Sequence, residues 1–211
     1  MGIDLKTLIE DAQKPTPWDF GNGILYDICN KNPLHCDKSI VIAKIWLIGR
    51  AYAAAIERGP TREDSNDDFY VQTVAPTIIE SKIDHWITDA KDLSLSCENI
   101  DSIVKCHGSI TELFKNISGM DKRSLASKYL HFHVPGVFFI YDTRAVSGLR
   151  KLSKFVKRAK KYSGNGDNEY RKFAEKCLSL RDHIKTEYKV EMSPRQIDQL
   201  LLNLAVSVND K

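Results

Sequence analysis

The chain has 211 residues, a net charge of +3, and hydrophobic and charged fractions of 42% and 28%. These values are ordinary for a globular protein with a sizeable core, and they exclude a low-complexity chain and a globally basic nucleic-acid-binding chain. The five cysteines are odd in number and scattered, which favours free thiols in a reducing compartment. Their spacing matches neither a tetrahedral zinc site nor a four-cysteine iron–sulfur cluster, so we expect no metal and no cofactor.

The sequence has no basic-then-apolar leader and no uncharged apolar run of about 18 residues. We therefore expect a cytoplasmic protein without a membrane partner, and we favour a monomer.

Apolar residues recur at helical spacing along most of the chain, and strand patterns are almost absent, so we predict an all-α fold. In the first half, the predicted helices cover residues 4–14, 23–32, 39–58 and 68–90, and Pro76 is expected to kink or divide the last one. The helix over 39–58 is apolar nearly all round, which is typical of a core helix.

Polar residues mark the end of this apolar helix. Arg50 and Glu57 are seven residues apart, so they can share one helix face, and Tyr52 lies between them. A buried charge is costly unless it is paired or used. Two interpretations therefore stay open: Arg50 and Glu57 form a partly buried salt bridge, or Arg50, Tyr52 and Glu57 help to line a pocket.

In the second half, short helices are predicted over 100–106 and 110–114, with a stop at His107 and Gly108 between them. Longer helices are predicted over 168–188 and from Pro194 onward. These predictions extend the all-α pattern to the end of the chain.

The only strongly basic stretch is 150–161, which holds seven Lys and Arg residues and no acid. Such a run is either the solvated face of a helix or a surface that follows nucleic-acid phosphates. Both interpretations stay open.

A tight turn and a helix precede this basic stretch. Gly119 lies in the predicted turn over 117–121, because glycine adopts positive φ readily. A helix is predicted from Ser124 as its N-cap, and Pro135 with Gly136 ends it. His131 and His133 are two residues apart and face different ways, so we expect each to be packed or hydrogen-bonded rather than to share a metal.

A short apolar run follows, at 137–140, and it is too apolar to be exposed. Asp142 therefore comes at the end of a buried segment, and it opens a predicted helix over 143–152. Capping alone explains an Asp at this place, since Asp is among the best N-cap residues. Capping does not exclude a catalytic role for the same carboxylate.

This order of turn, helix, buried run and acid resembles the helix-hairpin-helix DNA glycosylase superfamily, which includes endonuclease III, the adenine glycosylase and 8-oxoguanine glycosylases. Members carry a Leu-Pro-Gly-Val-Gly hairpin, an Ala in the next helix, and a catalytic Asp in a Val-Asp-Thr-His setting. The similar features here are the turn 117–121 with one of the two glycines, Ala126, and Asp142 in the sequence Tyr-Asp-Thr-Arg. The interval from Ala126 to Asp142 is 16 residues, which resembles the family spacing.

The resemblance implies an all-α fold with two helical layers or two lobes and a cleft between them. We expect one helical domain over 1–211, and, if it divides into lobes, they would be 38–134 and 1–37 together with 135–211. It also implies a hydrolase that breaks the N-glycosidic bond of a flipped, altered base in double-stranded DNA, with Asp142 as the catalytic carboxylate.

Ser124 stands where the bifunctional members of the family place a nucleophilic Lys, which resembles the monofunctional adenine glycosylase and implies hydrolysis without a lyase step. The expected DNA contacts lie in the hairpin, the helix after it and the next basic residues, at Gly119, Lys122, Arg123, Ser124, Lys128, Arg144, Lys151 and Lys154. The expected base pocket includes Arg50, Tyr52 and Glu57.

Two other functions remain open. The same helical scaffold suits a non-catalytic nucleic-acid-binding module that uses the hairpin and a basic helix over 151–161. It also suits a helical protein-interaction domain whose basic helix meets an acidic partner.

Overall fold

The computed structural model describes residues 3–58, 67–157 and 167–206, and all regular structure within these ranges is helical. The all-α prediction is confirmed for this part of the chain. The helices are α1 (Leu5–Ala12), α2 (Asp19–Lys31), α3 (Lys38–Ala51), α4 (Asp67–Phe69), α5 (Ala75–Ile79), α6 (Ile83–Lys91), α7 (Ile100–Ser118), α8 (Arg123–His133), α9 (Thr143–Lys151), α10 (Asn168–Tyr188) and α11 (Pro194–Val206). No described helix is both long and apolar enough to span a bilayer.

Aspartates start four of these helices, because a carboxylate accepts hydrogen bonds from the unpaired N–H groups of the first turn. Asp4 caps α1, Asp37 caps α3, Asp142 caps α9 and Asp167 caps α10. Gly119 ends α7 with a φ of 73°, so the predicted glycine turn is confirmed. The helices predicted over 168–188 and from Pro194 are confirmed as α10 and α11.

The predicted break at His107 and Gly108 is wrong, since α7 runs without interruption from Ile100 to Ser118. His107 is fully buried, and its ring stacks on that of Tyr170 with centroids 3.6 Å apart. Packing of the helix against α10 therefore outweighs the modest helical penalty of a single glycine.

The long helix predicted over 39–58 is also wrong at its C-terminal end, because α3 stops at Ala51. Ala53 has a φ of 51°, which breaks the helix. The chain then folds back over Gly49, where an added Cβ would lie 3.0 Å from the Cα of Ala55. Arg50 and Glu57 are therefore not on one helical face, although they do meet across the turn.

The predicted helix over 68–90 is divided, but not at Pro76. A π-helical turn, Tyr70–Val74, connects α4 to α5, and Pro76 lies in the first turn of α5. The wider turn accommodates a proline that has no N–H and whose ring would crowd the preceding turn of a regular helix. The break between helices falls at 80–82, ahead of α6.

Two predicted boundaries near the hairpin are wrong. α8 begins at Arg123, so Ser124 is its second residue rather than its N-cap. α9 ends at Lys151, and residues 152–155 form turns, so the predicted basic helix does not continue there. The other basic positions, at 158–161, lie outside the described residues.

The centre of the fold is α8, in which every residue from Leu125 to His133 is buried. It packs against α7, α2 and α3. α11 lies along α9 and α1, and its backbone approaches so closely that a Cβ on Gly148 would be 2.2 Å from the carbonyl oxygen of Leu201. This contact fixes α11 beside the helix that Asp142 starts.

Candidate functional site

Asp142 is held at the start of α9 by contacts on both sides. Its Oδ1 accepts a hydrogen bond of 2.9 Å from the N–H of Ala145. The preceding run 137–140 is buried, and the N–H of Tyr141 donates to Oγ of Ser127 at 2.9 Å. The prediction that Asp142 opens a helix is confirmed, and its side chain stays 25% exposed.

Lys128 is the second charged group of the site. Its side chain is 2% exposed, and its Nζ lies 3.2 Å from Oδ2 of Asp142. The same ammonium donates to Oγ of Ser124 at 2.8 Å and to the carbonyl oxygen of Tyr52 at 3.5 Å. Lys128 therefore points inward at the carboxylate, and Ser124 orients it.

Tyr52 connects this ion pair to α2. Its ring centroid is 5.7 Å from Nζ of Lys128, which is within the range of a cation–π contact. Its hydroxyl donates to Oδ1 of Asn22 at 2.8 Å. Burial raises the pKa of Tyr52, so the phenol stays neutral and remains a donor.

His131 and Tyr26 form a neutral pair on the same side of α8. Nδ1 of His131 is 2.9 Å from the carbonyl oxygen of Phe138, which can only accept, so Nδ1 carries the proton. Nε2 then accepts from the hydroxyl of Tyr26 at 2.7 Å. Burial lowers the pKa of His131 to about 4, which agrees with a neutral ring. The prediction of a packed or hydrogen-bonded His131 agrees with this geometry.

Asp198 on α11 is a buried acid that the sequence reasoning missed. Its side chain is 2% exposed, and its Oδ2 accepts from Nη1 of Arg195 at 2.7 Å. Burial raises its pKa to about 7, and the charge of Asp142 adds to the rise, whereas Arg195, Lys128 and Arg144 oppose it. The available signal was spacing, since Asp198 comes three residues before Leu201 and so shares the face of the apolar residues of this helix.

The other two predicted pocket residues pair with each other. Glu57 is 6% exposed and forms an ion pair with Arg50, and it also accepts from the hydroxyl of Tyr70. Lys122 fixes the same segment, because its Nζ donates to the carbonyl oxygens of Ala55, at 3.3 Å, and Arg58. Of the three pocket candidates, Tyr52 is the one that contacts the Lys128–Asp142 pair.

The predicted DNA-contacting cations differ in their surroundings. Nε of Arg123 pairs with both oxygens of Asp167, at 2.7 and 2.6 Å. Lys151 donates to the carbonyl oxygen of Leu204. Arg144, in the first turn of α9, and Lys154 are exposed.

All five cysteines are free thiols, and the described residues contain no group of three metal-ligating side chains. Comparisons of this chain with models of known protein families, with curated proteins and with solved structures gave no match.

Proposed function

We propose that this protein is a DNA glycosylase-like hydrolase that removes an altered base from double-stranded DNA with Asp142 as the catalytic carboxylate. One observation carries the proposal: Asp142 is a partly exposed carboxylate fixed by the α9 N-terminus and by the inward-pointing Lys128. Its position after the hairpin turn and α8 matches the sequence resemblance. The cleft expected between two helical lobes belongs to the same proposal.

Hydrolysis of the N-glycosidic bond does not require a strong nucleophile from the protein. When the bond between C1′ and the base nitrogen breaks, the electron pair leaves with the base and the sugar develops oxocarbenium character. A fixed carboxylate stabilises that positive charge and orients the water that adds to C1′. The Ala145 N–H and the Lys128 ammonium occupy one lone pair of each Asp142 oxygen, which holds the group in place for this task.

Double-stranded DNA would be held by the hairpin and by the start of α9. Arg144 and Lys154 are exposed and suit phosphate contacts. Lys122, Arg123 and Lys151 would have to exchange an intramolecular partner for a phosphate. We therefore expect Arg144 and Lys154 to contribute more to binding than the other three.

The test is base release from duplexes that each carry one damaged, mismatched or modified base, comparing the native protein with Asp142→Asn. Asn is as good an N-cap as Asp, so the variant should fold. We expect alkali-dependent strand breaks from the native protein and a loss of at least about 100-fold in the variant. Asp182→Asn, at an exposed position of α10, is the matched control and should retain activity.

Other outcomes separate the alternatives. Equal activity of Asp142→Asn and the native protein would remove Asp142 from the chemistry. Salt-sensitive DNA binding without release of any base would favour the non-catalytic binding module. No binding to nucleic acid at low salt would leave the protein-interaction domain.

A lyase step is a second candidate, because Lys128 places an amine beside Asp142 although Ser124 holds the position expected for such a lysine. After Nζ gives a proton to Asp142, it would bond to C1′ as the base leaves with its electron pair, and the C1′–O4′ bond would then break to give an imine. Borohydride should then trap a covalent protein–DNA adduct, which Lys128→Gln would abolish. Without an adduct, the monofunctional mechanism stands.

A further inference from the structure

Two buried polar atoms near the candidate site have no hydrogen-bond partner among the described residues. They are Nδ2 of Asn22, on α2, and Oδ1 of Asp198, on α11. Asn22 is 8% exposed and Asp198 is 2% exposed. Buried polar groups are nearly always paired, so two such atoms in one region point to a partner other than the described residues.

In each of the two side chains, the second polar atom is already hydrogen-bonded. That bond fixes the direction in which the unpaired atom points. Oδ1 of Asn22 accepts from the Tyr52 hydroxyl at 2.8 Å, and Oδ2 of Asp198 accepts from Nη1 of Arg195 at 2.7 Å. The remaining functions are therefore one amide N–H donor and one carboxylate acceptor.

Both groups belong to the surroundings of the Asp142–Lys128 pair. Tyr52 bonds to Asn22 through its hydroxyl and to Lys128 through its carbonyl oxygen. α11 packs along α9, so Asp198 lies on the helix next to the one that Asp142 caps. The charges of Arg195 and Asp198 both act on the pKa of Tyr52 and of Tyr26, which places this end of α11 at the same aromatic side chains.

We infer that Asn22 and Asp198 bind the extruded base through an edge that presents a hydrogen-bond acceptor beside an N–H donor. The inference rests on the proposed base excision and states which edge of the base the site recognises. Uracil and hypoxanthine carry such an edge, with a carbonyl oxygen for the Asn22 amide and a ring N–H for the Asp198 carboxylate. A base alkylated at that ring nitrogen has no N–H and is rejected, because Asp198 then stays unpaired.

A single methyl group tests this inference. The probes are uracil and 3-methyluracil, as free bases followed by ligand-observed NMR at pH 8 and as single lesions in a duplex followed by base release. We expect the native protein to prefer uracil over 3-methyluracil by at least about tenfold. Asn22→Ala should weaken uracil binding, and Asp198→Ala should abolish the preference.

Asn30→Ala is the matched control, since Asn30 is an exposed amide on the same helix and should leave the preference unchanged. Asp198→Asn replaces Asp198→Ala if the smaller side chain prevents folding. A preference that depends on Asn22 and Asp198 in either assay supports the inference, and its absence in both overturns it. Base release without this preference would overturn the inference and leave the glycosylase proposal intact. The preference for free uracil without any release would overturn the glycosylase proposal and leave the base site.

Discussion

The buried polar groups on the two sides of α8 have different partners. On one side, which we call the site face, Lys128 donates to Ser124, four residues before it, and contacts Asp142. On the other, the core face, Tyr129 and His133 are four residues apart and meet His35. Both faces are polar, but on the site face a side chain of α8 contacts a partly exposed carboxylate directly, whereas on the core face His35 lies between Tyr129 and Asp84.

The core face contains a chain of hydrogen-bonded side chains that includes a neutral histidine. The Tyr129 hydroxyl is 2.7 Å from Nε2 of His35, whose Nδ1 is 2.5 Å from Oδ1 of Asp84. Burial lowers the pKa of His35 to about 4, and it lowers the pKa of His133 and of Lys44 as well. In this relay both nitrogens of the neutral His35 ring are hydrogen-bonded, which stabilises the packing around it.

The site face keeps opposite charges together instead. Lys128 is buried, but its ammonium lies against the 25% exposed Asp142. The Asp142 end of this ion pair is open to solvent, whereas the Lys128 end is buried. The comparison teaches that burial alone does not distinguish the two faces, whereas the direct contact of a buried α8 lysine with a carboxylate does.

The largest expected effect concerns the neutral histidines. The pKa values of His35, His107 and His131 are all about 4, below the unfolded value of 6.5, because burial disfavours the charged ring. Each neutral histidine makes its full contribution to the free energy of unfolding above pH 6.5. This contribution is lost as the pH falls toward 4, by up to about 3 kcal/mol per histidine. Urea unfolding at pH 7, 5.5 and 4 measures it, and a flat profile would contradict neutral burial.

Asp198 should change stability with pH in the direction opposite to that of the histidines. Its folded pKa of about 7 exceeds the unfolded value of 3.8, so the folded state binds the proton more tightly and stability falls as pH rises through this window. Asp198→Asn removes this loss. The variant's advantage in free energy of unfolding should grow by up to about 4 kcal/mol between pH 4 and pH 8. An advantage that does not change with pH would show that Asp198 is not destabilised by its charge.

Matched lysine substitutions compare the two faces directly. Lys128→Met should lower base release about 100-fold, because Asp142 loses the group that orients it. Lys44→Met should leave release unchanged, since Lys44 is fully buried on the core side and donates to the carbonyl oxygen of Leu34. Single-turnover rates of both variants provide the measurement. Equal losses would mean that Lys128 acts through packing.

The smallest effect is expected from Tyr129→Phe. The change leaves Nε2 of His35 without its hydroxyl partner and should cost about 1–3 kcal/mol of stability. Base release should persist at temperatures where the variant is folded. Loss of activity in the folded variant would mean that the core face contributes to the reaction.

Local signals predicted much of the fold. Apolar spacing predicted the helices, and Gly119 and Pro194 marked a turn and a helix start correctly. The failures at His107 and at the end of α3 arose where packing overrode local preference: a stacked ring kept α7 whole, and the chain's return over Gly49 ended α3 early. Neither contact leaves a trace in residue spacing.

The sequence by itself determined an all-α chain in which Asp142 follows a buried run and starts a helix. The tertiary structure decided what surrounds that carboxylate. Lys128 could have been exposed, and its contact with Tyr52 spans 76 residues of sequence. Asp198 reaches the same region from the last described helix. Periodicity states which residues face inward, but the partner of a buried charge is set by how helices distant in sequence pack together.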